Sequence, residues 1–251
     1  MATDVKWALV TGASGGIGQA IVTCFVEDGY KVIAVDKVPS RIDEHDRVFR
    51  VEFDLERFVV DEAYATSFIE DAGEITGGAG ISALVNNAAV QILGHCADVS
   101  RTQWSESFNV NLSAPFFMVQ GFLGQLERNR GSVVNISSIH ATQTKERFVT
   151  YATTKGALSA LTRNLAVDLR DKIRVNAIEP AAVGTDMLKA GFTGQEHKLE
   201  ELAKFHPISR LAEPREVAEL ALYLCSERSS FVHGACISAS GGIQGSLSDP
   251  D

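Results

Sequence analysis

Short apolar runs rich in β-branched residues recur along the 251-residue chain, each followed by a longer segment with apolar residues at helical spacing. An uninterrupted apolar strand is buried on both faces and needs helices to cover it, so this alternation specifies βα units around a parallel sheet. Strands are predicted over 7–11, 31–36, 48–53, 82–86, 131–137, 173–178 and 235–239. Helices are predicted over about 16–28, 57–72, 102–127, 150–170, 195–205 and 214–226, the last opening at Glu213-Pro214, where proline suits a first turn. Seven strands suit an open sheet better than an eightfold barrel. The expected fold is α/β: one doubly wound domain over 1–251, with a seven-stranded parallel sheet and helices on both faces.

The turn after the first strand sharpens this to a Rossmann-type domain. Residues 7–20 read WALVTGASGGIGQA, a strand, then Gly12, Ser14, Gly16, Ile17 and Gly18, then a helix. Glycines there permit a tight turn and close backbone approach to a pyrophosphate, and the helix start offers unpaired N–H groups to it. The formal net charge of −9 excludes a general polyanion or anionic-membrane binder, but a local helix end can still hold an anionic cofactor. The second strand ends at Asp36, placed to accept hydrogen bonds from an adenine ribose and to repel a 2′-phosphate. Asp36 therefore favours NAD over NADP, although Lys37 beside it favours the phosphate. Asp54, followed by Leu55, is a further acidic group at the sheet's carboxyl edge, or else a helix N-cap.

Tyr151 and Lys155 lie four apart, on one face of a predicted helix. A phenol titrates near 10, and a neighbouring ammonium lowers that value by favouring the phenolate. Ser138, or its neighbour Ser137, ends the fifth strand, where a hydroxyl can hold a substrate carbonyl. Asn111 falls inside a helical pattern that asparagine does not favour, which points to a local backbone or water-binding task.

With Thr11-Gly12-Ala13-Ser14-Gly15-Gly16-Ile17-Gly18, Asn86-Asn87-Ala88-Ala89, Asn111, Ser138, Tyr151 with Lys155, and Val175-Asn176-Ala177-Ile178-Glu179-Pro180, the chain resembles the short-chain dehydrogenase/reductase family over nearly its whole length. The resemblance implies a tetrad. Tyr151 is the general acid/base, Ser138 holds the substrate oxygen, and Lys155 binds the nicotinamide ribose and lowers the Tyr151 pKa. Asn111 holds a water that links Lys155 to solvent. It also assigns Ile17, Asn87, Ala88, Pro180, Val183 and Thr185 to the cofactor cleft. Two positions depart from the family pattern: Ala89 and Ala181 stand where glycine is usual.

On the substrate side, His140 and Gln143 are candidate polar contacts, and Lys145, Glu146 and Arg147 are a solvated loop tip. Met187, with Leu188 and Phe192, belongs to an irregular stretch, 184–207, expected to act as a substrate lid. Gln91, Ile92 and His95 are candidates for the opposite wall. The segments carry no Arg/Lys cluster, so a neutral secondary alcohol or ketone is the expected small-molecule substrate. Cys24, Cys96, Cys225 and Cys236 lack metal-ligand spacing and read as reduced core thiols of a cytoplasmic protein, with no metal expected. No apolar stretch is long enough to span a membrane. Small residues in the two long helices, with the family habit, imply a homotetramer. The alternatives are an NADP-dependent carbonyl or 3-oxoacyl reductase, and a non-catalytic dinucleotide-sensing regulator.

Overall fold

The computed structural model describes residues 5–38, 42 and 44–246. Seven strands, β1 (Trp7–Thr11), β2 (Lys31–Asp36), β3 (Val48–Glu52), β4 (Ala83–Asn86), β5 (Ser132–Ile136), β6 (Arg174–Pro180) and β7 (Cys236–Ala239), form one sheet in the order β3-β2-β1-β4-β5-β6-β7. Every pairing is parallel. The order reverses between β1 and β4, and ligands of open parallel sheets bind outside the strand ends at such a point.

Helices cover both faces. On one, α1 (Gly16–Glu27) and α10 (Pro214–Cys225) bury Ile21, Val22, Phe25, Val217, Ala221 and Leu224 against Val10, Val32 and Val85. On the other, α2 (Leu55–Val60), α3 (Glu62–Ile75), α5 (Ala114–Gly121), α6 (Leu123–Arg128) and α7 (Val149–Leu169) pack on Leu9, Ile33, Leu84, Val133 and Val175. Stacked aromatic rings, Phe53 with Phe68 at 4.0 Å and with Tyr64 at 4.6 Å, fill the β3 end of this layer.

Three predicted segments differ. The helix expected over 57–72 is two, because Asp61 leaves helical geometry and accepts from Tyr64 N, capping α3. The helix expected over 102–127 begins as α4 (Arg101–Phe108), widens into a π turn (Asn109–Ser113), and continues through α5 and α6. Pro115 explains where the ladder slips: Ala114 N donates to the Asn109 carbonyl, and the next residue has no N–H to give. The stretch 184–207, read as irregular apart from the helix over 195–205, also holds α8 (Asp186–Ala190), ahead of α9 (Glu196–Phe205), which matches that helix. The cysteines also divide. Cys24 and Cys225 are buried, Cys236 is half-buried and Cys96 is exposed, so only two are core thiols. No described helix is long and apolar enough to cross a membrane.

Candidate active site

A cleft of about 860 Å³ runs along the carboxyl ends of the strands. One end is lined by the glycine turn, Asp36, Asp54 and Leu55, and the other by His140, Phe148, Met187 and Phe192. Ser138, Tyr151 and Lys155 lie between them with Asn87, Ala88, Pro180, Val183 and Thr185. Of the tetrad and cofactor candidates, only Asn111 stays behind the wall. Gln91 lines the cleft, whereas Ile92 and His95 do not; Leu93 takes their place. Leu93 comes soon after the strand-four motif, but nothing in its spacing singles it out.

At the cofactor end, Gly12 has φ +64°, and a Cβ there would lie 2.7 Å from Ala88 Cα. A Cβ on Gly18 would collide with the Gly12 carbonyl. Asn87 locks this turn, its Nδ2 donating to the carbonyls of Thr11 (3.0 Å) and Gly12 (2.9 Å). Helix α1 starts after Gly15 with no side-chain cap, so its first N–H groups open toward the cleft, and the buried Ser14 Oγ has no partner. Unpaired donors around a tight glycine turn fit a diphosphate. Asp36 accepts from Ser14 N at 2.8 Å and from Val38 N at 3.2 Å, which ties the end of β2 to the turn. Asp54 caps α2, accepting from Glu56 N and Arg57 N, so the helix-cap reading of that carboxylate is the one the geometry shows.

In the middle, the first turns of α7 bring Tyr151 and Lys155 under the end of β5, and Ser138 lies two residues beyond that end, capping the 3-10 turn Ile139–Ala141. Ser138 hydrogen-bonds the Tyr151 phenol, and burial pushes that phenol up while the bond opposes the shift. Ser138 Oγ also accepts from His140 N at 3.1 Å. Lys155 is 2% exposed. Its Nζ donates to the Ile136 carbonyl at 2.7 Å and lies 5.6 Å from the Tyr151 ring centre. Burial without a counter-charge brings its pKa down to about 7. Behind them, Asn111 Oδ1 accepts from Val90 N (2.8 Å), and Nδ2 donates to Val90 O (2.9 Å) and Thr154 Oγ1 (3.1 Å). The amide thus stitches the π turn to the cleft wall and to the residue before Lys155. Because Pro115 cannot donate, the Asn111 carbonyl lacks its usual helical partner.

At the far end, His140 stacks on Phe148 at 4.3 Å and meets Tyr151 edge-on at 5.9 Å. Burial lowers its pKa to about 4, so it is a neutral, aromatic part of the wall at pH 7. Gln143 is exposed, and its amide donates to the Gln244 carbonyl at 2.8 Å, binding the loop to the C-terminal turn. Ile243 of that turn and His206 also line the cleft, and sequence reasoning missed both. Lys145, Glu146 and Arg147 are exposed, as a loop tip should be.

A parallel seven-stranded sheet with this glycine turn and a Ser-Tyr-Lys cluster facing the cleft defines a dinucleotide-dependent oxidoreductase. Comparison with known proteins agrees. A family model described as enoyl-(acyl carrier protein) reductase matches residues 12–244. Relatives include L-xylulose reductase of Bos taurus, 36% identical over 94% of this chain and 95% of its own, and Protein FixR of Bradyrhizobium diazoefficiens, 34% identical over 95% and 87%. Among solved structures, ligand-free aldohexose dehydrogenase of Thermoplasma acidophilum superposes with a TM-score of 0.89, at 31% identity and 98% coverage of both chains. A 3-ketoacyl-(acyl-carrier-protein) reductase of Brucella melitensis complexed with NADH (TM-score 0.82, 26%, covering 95% and 98%) is also similar. So is a 2-deoxy-D-gluconate 3-dehydrogenase homologue of Agrobacterium tumefaciens with bound NADP (0.83, 27%, 96% and 97%). The chain belongs to the short-chain dehydrogenase/reductase family.

Proposed function

We propose that the protein interconverts a secondary alcohol and a ketone with NAD as its hydride carrier. The observation that carries this is the Ser138–Tyr151–Lys155 cluster, midway along a cleft whose other end holds unpaired donors suited to a diphosphate and the Asp36 carboxylate. A nicotinamide dinucleotide bound along the cleft supplies the hydride acceptor or donor. Gly12, Ser14, Gly16, Ile17 and Gly18 hold its diphosphate, Asp36 the adenosine ribose, and Leu55, Asn87, Ala88, Pro180, Val183 and Thr185 the remaining walls.

Tyr151 takes the alcohol proton during oxidation and returns it during reduction. Ser138, bonded to the phenol, holds the substrate oxygen beside it. Lys155, aimed at the same ring, favours the phenolate when charged. The Asn111 carbonyl, freed by Pro115, is where a water would be held to carry the proton outward, while its side chain keeps the wall in place. The far wall is mostly apolar, with His140 neutral and Gln143 spent on the C-terminal turn. It suits a neutral substrate carrying one reacting oxygen. Residues 184–207, with Met187 exposed at their start, close over that end as a lid and exclude water. The working form is a cytoplasmic homotetramer.

An assay of the protein with a panel of alcohols and ketones and both cofactors tests the reading. Tyr151→Phe should lower turnover by about 10²-fold or more with NAD affinity nearly unchanged. Full turnover in that variant would sink the assigned role, and no turnover in any native assay would favour the dinucleotide-sensing alternative. Lys37, next to Asp36 in the cleft, supports a second reading, in which NADP is the cofactor. Under the first, Asp36→Ala should weaken NAD binding about 10- to 100-fold and bring NADP binding closer to it. Tighter NADPH than NADH binding by the native protein would decide for the second.

A further inference from the structure

The substrate end of the cleft holds a polar side chain with no part in the chemistry above. His206, at the C-terminal cap of α9, is 2% exposed and lines the cleft together with Leu202 and Ile243. Its Nδ1 lies 2.9 Å from the Leu202 carbonyl. A carbonyl only accepts, so Nδ1 carries a hydrogen and donates it there, which fixes the rotation of the ring and leaves Nε2 as its free nitrogen. The other edge of the ring backs onto the C-terminal turn: a Cβ on Gly241 would lie 3.6 Å from His206 Cβ and Cδ2, and 2.7 Å from Ile208 Cγ2. Gly241 sits at φ +57°, and its carbonyl accepts from Ile208 N at 3.2 Å, which holds this backing in place. With one edge held by α9 and the other by Gly241, the tip of the ring, Cε1 and Nε2, is the part left to face the cleft. Nε2 is buried and has no hydrogen-bond partner among the described residues.

A buried polar atom without a partner is costly, and a ligand that completes it gains what its deoxy analogue cannot. We infer that His206 holds a second, non-reacting hydroxyl of the substrate. Resting on the activity proposed above, this narrows its alcohol or ketone to a diol, a hydroxyketone or a more highly hydroxylated neutral molecule. A hydroxyl both donates and accepts, so it completes Nε2 whether or not that nitrogen carries a hydrogen. A carboxylate or a second carbonyl only accepts and would need a hydrogen there. The other polar groups at this end are engaged elsewhere: the Gln143 amide with the Gln244 carbonyl, and His140 Nδ1 with Thr144 Oγ1 at 3.1 Å. Ser138 and Tyr151 take the reacting oxygen and His206 takes the other, so two fixed points orient the carbon skeleton. His206 belongs to the stretch 184–207, so closure of that lid brings the ring tip against the bound substrate, and opening withdraws it.

Matched alcohols read the contact in the full chain with NAD: isopropanol against propylene glycol and glycerol, and cyclohexanol against the cyclohexanediols. The best hydroxylated member of each set should exceed its mono-alcohol by about tenfold or more in kcat/KM. Equal values overturn the inference and leave the proposed activity standing. His206→Asn, whose amide can keep the Leu202 bond but places nothing at Nε2, should bring the ratio within each set to about threefold or less. His206→Gln, whose amide reaches the Nε2 position, should retain part of the preference. A native ratio in His206→Asn, or the same loss in both variants, would overturn the contact and leave the ring a structural part. Turnover of none of these compounds would count against the proposed activity instead. Calorimetric titration of the same alcohols into the protein with NADH then reads the contact alone: tighter binding of the hydroxylated members, removed by His206→Asn, supports it, and equal binding overturns it.

Discussion

Burial acts on the Tyr151–Lys155 pair in opposite senses, raising the phenol and lowering the ammonium, so both groups favour their neutral forms in the free chain. The Lys155 shift has a consequence for stability. An unfolded lysine titrates near 10.4, whereas the folded one titrates at about 7. Between those values the unfolded state binds more protons, so this group makes the fold more stable as pH rises through that window. Below pH 7 both states are protonated and the cost of the buried charge is present in full. Relative to Lys155→Met, the native protein should gain up to about 1.4 kcal/mol per pH unit between pH 7 and 10, read from urea unfolding at a series of pH values. A constant difference between the two proteins would show that Lys155 keeps its charge when buried. The same comparison cancels Tyr30 and Cys225, whose burial raises their pKa values and so acts in the opposite direction at alkaline pH. The residues of this pair were legible in the sequence because their roles depend on spacing along one helix. Glu179 was legible only as part of a motif, since its partners Ser159 and Ser137 come from elements brought together by folding.

The π turn is the element on which the site's rear wall depends. Its Asn111 side chain satisfies both main-chain polar groups of Val90, and Asn111 is fully buried. Asn111→Ala leaves a buried N–H and C=O without partners, at a cost of about 1–3 kcal/mol. It also releases Thr154, which precedes Lys155, so turnover should fall about tenfold. Thermal unfolding and steady-state kinetics together check this; a variant with native stability would mean that water satisfies Val90 equally well. Periodicity alone ran the predicted helix through 102–127, because widening a turn by one residue barely disturbs an apolar pattern. Pro115 was the signal available for the break. The glycine turn was legible for the opposite reason, since its conformation and contacts admit no side chain at Gly12 or Gly18. Within residues 184–207, α8 lacked such a signal because its five residues are too few for a helical pattern, whereas α9 lies where the helix over 195–205 was predicted.

At the scale of the whole molecule, the two helical layers present different outer surfaces. On the α1/α10 side, Arg215 bridges Glu27 and Glu219, a solvated network that gains little from being covered. On the α4/α5/α7 side, Trp104, Phe116, Phe117, Val149 and Val167 are exposed, Val167 at 78%. Exposed apolar groups on one layer with charges on the other favour the first as the face through which the proposed tetramer would form, and a chain of net charge −9 would bring like charges together if it associated through the second. Closed symmetry is the usual outcome for such a patch, and the tetramer proposed above is one such closed form. Light scattering at micromolar concentration should therefore give four chain masses for the native protein. Val167→Glu combined with Trp104→Glu should give a smaller species, because each desolvated glutamate at the contact would cost several kcal/mol. Both positions lie outside the cleft lining, so NAD affinity should change by less than about threefold while the mass falls. A monomeric native protein, or an unchanged mass for the double variant, would place any association elsewhere, with fully exposed Phe231 between α10 and β7 as the next position to test.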